Sequence, residues 1–158
     1  PETASPKVMK EIKKEVDIDK YRLIIDWCRQ LKIFTYTCFI FGFPFETKDD
    51  LLLSKAFIES IDTDVIHITR ALPIPGTSLY EKYSSLFENE DLSKEEGMVF
   101  GHQKLLSQNI TEKEFKHIIQ EVYRKVYLNP KRIIRLLFSL PITNLWRLFK
   151  YAILTKSI

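Results

Sequence analysis

Glycine is scarce in this chain: four occur in 158 residues, against an aromatic content of 13%. Disordered chains show the reverse balance, so an ordered, packed polypeptide is expected over most of the length. Cysteine is scarcer still, with Cys28 and Cys38 alone. Two cysteines so placed make neither a metal-binding spacing nor a disulfide framework, which points to a reducing, cytoplasmic setting. There is no initiator methionine and no readable signal peptide, so the native start is expected upstream of Pro1. No internal repeat and no low-complexity segment occurs. Residues 129–158 contain no acid at all, while carrying Lys131, Arg132, Arg135, Arg147, Lys150 and Lys156.

What is present is ordinary globular material, 45% hydrophobic and 28% charged, which suits one domain or a small domain with an appendage. The net charge of +3 conceals an asymmetry. Setting those six tail residues aside leaves 18 basic residues against 21 acids, a net charge of −3 over residues 1–128. An acidic body and a basic tail are surfaces for different partners.

Ser5-Pro6 reads as an N-cap with proline in the first helical position, opening a short helix to about Lys14. Asp17 and Asp19 precede an amphipathic stretch, Tyr21 to Gln30, with Leu23, Ile24, Trp27 and Cys28 on one side. Residues 33–41 are β-branched and aromatic, and the second half lacks polar alternation, as in a parallel strand buried on both faces. Gly42 to Glu46 ends that strand, and Thr47 caps a helix from Lys48 to Ile61 with Asp49 and Asp50 in its first turn. Asp64 to Arg70 is a second strand, Pro73 to Thr77 a stiff turn, and a helix follows from about Ser78. Strand, loop, helix and strand make a βαβ unit with a right-handed crossover. Two parallel strands alone do not make a stable sheet, so further strands are expected upstream or in a partner. Capping boxes begin at Ser93 and Thr111, the second opening a helix to about Leu128. Asn129-Pro130 then starts a basic helix over Lys131 to Leu140, and Pro141 another to about Leu154.

In parallel α/β folds ligands bind where strands end and helices begin. Two segments occupy such positions, Phe39 to Thr47 and Arg70 to Thr77. Gly42 permits close approach of a flat ligand, or simply terminates the strand. Arg70 at a strand end suits an anionic substrate or a salt bridge equally well. His67, His102 and His117 share no metal spacing.

Phe39-Ile40-Phe41-Gly42-Phe43-Pro44-Phe45-Glu46-Thr47 resembles the fifth-strand motif of radical S-adenosylmethionine (SAM) enzymes, an apolar run followed by Gly-x-Pro-Gly-Glu-Thr. Pro73 to Tyr80 resembles the segment after their sixth strand, and Glu2-Thr3-Ala4-Ser5 the segment after their fourth. Val126 to Arg132 is similar to the ending of the subgroup with an N-terminal cobalamin-binding domain, which includes the anaerobic magnesium-protoporphyrin ester cyclase-like proteins. The resemblance implies an α/β fold, the C-terminal part of a partial (β/α)6 TIM-like barrel, with a helical C-terminal extension. Its divisions fall at 1–87 (barrel), 88–128 (helical extension) and 129–158 (basic amphipathic tail).

The same resemblance implies an oxidoreductase-type chemistry. A [4Fe–4S] cluster splits SAM to a 5′-deoxyadenosyl radical, which activates a C–H bond of an unidentified small-molecule substrate, a hydrophobic one among the options, for methylation, cyclisation or methylthiolation. The Cys-x3-Cys-x2-Cys cluster loop is absent here, so the cluster ligands, and any cobalamin domain, belong to the upstream half of the same polypeptide, and the chain alone should be inert. Carried over by position, Glu2 and Lys14 are the polar SAM contacts, Ile40 and Gly42 line the adenine, and Ala71, Leu72 and Pro73 close over it. Cys38 stands where some branches have a ribose-binding acid, and Phe45 where the motif has glycine, so the ribose contact and loop shape depart from the pattern. Glu46 suits loop fixing, or a carboxylate at a helix N-terminus, better than acid catalysis.

A rival reading places the tail in a membrane interface, because Arg135, Arg147 and Lys150 interleave with Leu136, Leu145, Trp146 and Phe149. Charges and Pro141 interrupt it before the ~20 apolar residues a spanning helix needs. Packing of its apolar side on the barrel is the plainer alternative. Nucleic acid is disfavoured as a partner: related tRNA methylthiotransferases end in a β-rich RNA-binding module, and this chain ends in helices.

Overall fold

The computed structural model describes residues 1–87 and 105–139. The capping box at Ser93, His102 and the helix from Pro141 lie outside the described residues. Two compact units are present, Pro1–Val122 and Tyr123–Ile158.

In the first unit, helix α1 (Pro6–Glu11) is capped by Ser5, whose hydroxyl accepts from the Val8 amide. It stops short of Lys14 because Lys13 takes a left-handed φ of 55°. The Lys13 and Lys14 amides then close on Lys10 and Met9 carbonyls at 3.2 and 2.9 Å, a Schellman ending without glycine. Helix α2 (Ile18–Gln30) is capped by the Asp17 carboxylate and ends the same way at Lys32, with φ 58°. Strand β1 (Tyr36–Phe41), helix α3 (Lys48–Ser60) and strand β2 (Val65–Arg70) form the βαβ unit. The strands pair in parallel from Tyr36 opposite Val65 to Phe41 opposite Arg70. Thr47 and Asp50 cap α3 reciprocally, and Thr77 caps helix α4 (Ser78–Tyr83). The α/β expectation, two parallel strands alternating with helices and followed by helices, is met.

The core lies between one sheet face and α3. Phe39, Phe41, Leu51 and Ile58 have no exposed surface, and the Phe39 ring meets Phe57 edge-on. Burial of each such side chain contributes about 1.5–3 kcal/mol. At the strand starts, Asp64 accepts from the Thr35 amide and hydroxyl at 2.8 and 3.0 Å and from Arg29 at 3.0 Å.

β1 was expected to be buried on both faces, and in this chain it is not. Thr37, Phe39 and Phe41 are buried, whereas Tyr36 is 57% exposed and Cys38 is exposed. No other strand of the described residues flanks β1 on its far side. The apolar side of α2 is likewise uncovered, with Leu23 50% and Trp27 57% exposed.

Helix α5 (Glu112–Tyr127) begins at the reciprocal box of Thr111 and Glu114, as the sequence predicts. In the second unit, Asn129 caps helix α6 (Pro130–Ser139) through the Lys131 amide at 3.0 Å. Arg132 is buried and donates to the Val126 carbonyl at 3.3 Å. Among the described residues no helix is long and apolar enough to cross a membrane.

Candidate functional site at the strand ends

The backbone of β1 decides what reaches its two edges. Phe41 C=O accepts from Ala71 N–H at 2.8 Å and Thr35 C=O from Val65 N–H at 3.0 Å, so odd-numbered residues turn their peptide groups to β2. Strand alternation sends Tyr36, Cys38 and Ile40 to the opposite edge. There the Ile40 amide donates to Glu2 C=O at 2.8 Å. Glu2 therefore sits beside the end of β1, on the side away from β2.

A buried polar latch holds it there. The Thr3 and Ser54 hydroxyls are 3.0 Å apart, and the Ala4 amide donates to Ser54 Oγ at 2.9 Å. Ser5 Oγ donates to Asp50 Oδ1 at 2.6 Å. Asp50 Oδ2 accepts from the Thr47 amide at 2.9 Å and from Lys7 at 3.2 Å. Burial alone would raise the Asp50 carboxyl, but the hydrogen bonds from Ser5, Thr47 and Lys7 outweigh it and bring it down to about 2. These latch residues were not singled out for the site in the sequence. The caps at Ser5 and Thr47 and the Glu2-Thr3-Ala4-Ser5 motif marked these segments separately, but none of them says that the two segments bond to each other across some fifty residues.

Glu2 and Lys14, assigned separately as polar contacts, are brought together by the turn after α1. Lys14 Nζ lies 3.2 Å from Glu2 Oε1, with both side chains partly exposed at 56% and 33%. The pair is a ready partner for a ligand carrying both an ammonium and a carboxylate group.

Gly42 leaves the strand with φ 86°. Its amide donates to the Glu46 carboxylate, which is fully buried. The other carboxylate oxygen, Oε1, has no hydrogen-bond partner among the described residues. Burial pushes the Glu46 carboxyl up to about 7, opposed by the Gly42 and Phe43 amides. Glu46 thus ties the loop, one of the two structural roles the sequence allows it. The close approach that Gly42 permits is made by the chain itself: a Cβ there would lie 2.7 Å from Leu105 Cδ1.

Ala71 is buried in a cluster with Val8, Phe43 and Leu106, and Ile12, Ile40, Phe45 and Leu79 pack against it. Leu72 is half-buried and Pro73 fully buried in the segment that follows. Ile40, Ala71 and the Gly42 loop therefore meet around one apolar cluster, close to where Glu2 arrives. Arg70 turns elsewhere. Its guanidinium grips Glu112 in a bidentate pair at 2.8 and 3.0 Å and lies 4.8 Å from the Phe115 ring centre, so of its two readings the ion pair is realised. Partial burial would raise the Glu112 carboxyl, but Arg70 holds it below the ordinary range.

Leu105, Leu106 and Ser107 escaped the sequence reading. Nothing in an isolated Leu-Leu-Ser marks a distant target. Among the described residues no group of three or more His, Cys, Asp or Glu side chains can hold a metal ion. Cys28 and Cys38 are free thiols, on α2 and β1 respectively.

The chain matches no protein-family model. Over 87% of its length it is 26% identical to a protein of Pyrococcus horikoshii named an uncharacterized methyltransferase, of which it covers 30%. Over 58% of its length it is 32% identical to a protein of Methanocaldococcus jannaschii named a methylthiotransferase, of which it covers 20%. The chain thus spans less than a third of the curated relatives it matches, and both are named for transfer of a methyl or methylthio group.

Proposed function

We propose that this chain is the C-terminal part of a radical SAM enzyme that transfers a methyl or methylthio group. On this reading the strand ends of the first unit form the adenosyl side of its SAM site. The observation that carries the reading is the convergence of Glu2, Lys14, Ile40, the Gly42 loop and Ala71 at one end of a parallel βαβ unit. The residues suit the ligand. The Glu2–Lys14 pair answers an amino-acid zwitterion, and the apolar cluster answers a nucleobase while excluding water. Leu72 and Pro73 continue the same wall. Bound SAM, with a reduced [4Fe–4S] cluster, supplies radical chemistry for hydrogen abstraction from an unactivated C–H bond. The cluster ligands belong to polypeptide outside this chain. Neither relative's name speaks for the cobalamin subgroup, so the proposal stops at the superfamily. A cytoplasmic setting remains part of it.

The partner of this chain is the preceding part of the same polypeptide. The edge of β1 before Ile40, where Glu2 does not reach, and the apolar side of α2, at Leu23, Ile24 and Trp27, are the surfaces it would pair with and cover. The test is reductive cleavage of SAM by the full-length protein after iron–sulfur reconstitution. Formation of 5′-deoxyadenosine is expected, and its absence refutes the proposal. Glu2→Ala and Lys14→Ala should each weaken SAM binding.

A second reading rests on the tail. Leu128, Ile133 and Ile134 are 67%, 40% and 54% exposed beside Lys131, which suits a membrane interface. Flotation with anionic liposomes, with and without residues 129–158, decides it; binding that does not depend on the tail rules it out.

A further inference from the structure

Residues 105–107 lie as a strap across the strand ends, held at three points. The Leu105 amide donates to Glu112 Oε1 at 2.9 Å, and the Ser107 hydroxyl donates to the Glu46 carbonyl at 2.7 Å. The Leu105 side chain fills the space left by the missing Cβ of Gly42. Between these ties Leu106 enters the apolar cluster of Val8, Phe43 and Ala71, and only 2% of it remains exposed.

Ile40 and Ala71 belong to that cluster and Gly42 lies under Leu105, so the strap takes up the surface that the proposed function gives to a nucleobase. A side chain and a flat ligand cannot share one apolar seat. The three ties are also of a kind that reverses without disturbing the sheet. Two are single hydrogen bonds, and Glu112 has Arg70 as a second partner that retains it when the Leu105 amide leaves.

We infer that the Leu105–Ser107 strap is a built-in competitor for the nucleoside site: Leu106 packs in the nucleobase seat and is expelled when the nucleoside binds. This rests on the proposed SAM site and adds its regulation. Occupancy of the seat lowers apparent affinity by the fraction of molecules in the open form, so weakening the strap strengthens binding.

The experiment uses the full-length protein and S-adenosylhomocysteine, which probes the site without turnover. Binding is measured by titration calorimetry for wild type, Leu106→Ala and Glu112→Ala, the second variant removing a tie without opening the core. Amide hydrogen exchange over residues 105–110 is followed with and without the probe. The expected result is about tenfold tighter binding in both variants, with strap exchange that rises on addition of the probe to wild type. Unchanged or weaker binding in both variants, with strap exchange unaltered or slowed by the probe, makes Leu106 a wall of the site and overturns the inference. Absence of binding in all three proteins overturns the SAM site itself, and the competitor with it.

Discussion

Glu46 offers the most direct test of the site's electrostatics. Its carboxyl is fully buried, accepts from the Gly42 amide, and is raised from an ordinary 4.5 to about 7. A raised acid favours the folded state at low pH. Its contribution is complete below pH 4.5 and is lost as pH rises through about 7, because the unfolded chain releases the proton first. Between pH 5 and pH 8 the loss amounts to about 2.5 kcal/mol, the difference in proton binding at 1.36 kcal/mol per unit. Glu46→Gln keeps an acceptor for the Gly42 amide and removes the titration. Urea unfolding of both proteins at pH 5, 6, 7 and 8 reads the effect as a slope. Wild type should lose about 2.5 kcal/mol more than the variant across that range. The neighbouring Asp50, held at about 2, stays ionised throughout and adds no slope of its own. Parallel pH profiles for the two proteins would falsify the assignment of a near-neutral carboxyl to this loop.

Asp50 titrates with the opposite sign: its stabilisation is present above its ordinary value of 3.8 and is lost as pH falls through about 2, which amounts to about 2 kcal/mol in acid unfolding. Asp50→Ala should cost about 2–4 kcal/mol at pH 7, by leaving the Ser5 and Thr47 donors unpaired; a chemical-denaturation midpoint equal to wild type contradicts the latch. Gly42→Ala places a Cβ at a φ of 86° and should cost about 1–2 kcal/mol, with the flexible end of Leu105, 2.7 Å away, able to move aside. Thermal unfolding checks it, and a variant as stable as wild type contradicts the left-handed backbone at Gly42. Trp27→Arg should shift the stability of the 158-residue chain by no more than about 0.5 kcal/mol, because the ring is 57% exposed. In the full-length protein the same change should destabilise by more than about 2 kcal/mol if the preceding polypeptide covers α2. Equal effects in the two contexts count against that partner surface.

Local chemistry made most of the elements legible. Ser5-Pro6, Thr47 with Asp50, Thr77, and Thr111 with Glu114 satisfy the first amides of their helices, a demand met within a few residues. The β-branched and aromatic run before Gly42 and the shorter run before Ala71 marked the strands, and the intervening capped helix imposed their parallel pairing. Helix ends were less readable. Lys13 and Lys32 stop α1 and α2 in a left-handed conformation that glycine ordinarily signals, and a lysine announces nothing.

The sequence by itself determined the βαβ unit, the loop role of Glu46 and the order of the segments converging on the strand ends. The first two follow from helix capping and from β-branched, aromatic runs, and the third from the order of the motifs that resemble those of radical SAM enzymes. Only the tertiary structure decided that Glu2 and Lys14 form a pair, that Arg70 belongs to Glu112, and that Thr3, Ser5, Ser54 and Asp50 make one latch. Only it brought Leu105 and Leu106 over Gly42 and Ala71. These are contacts between residues some ten to sixty positions apart. Their energy comes from removing specific groups from water together, which no local pattern records.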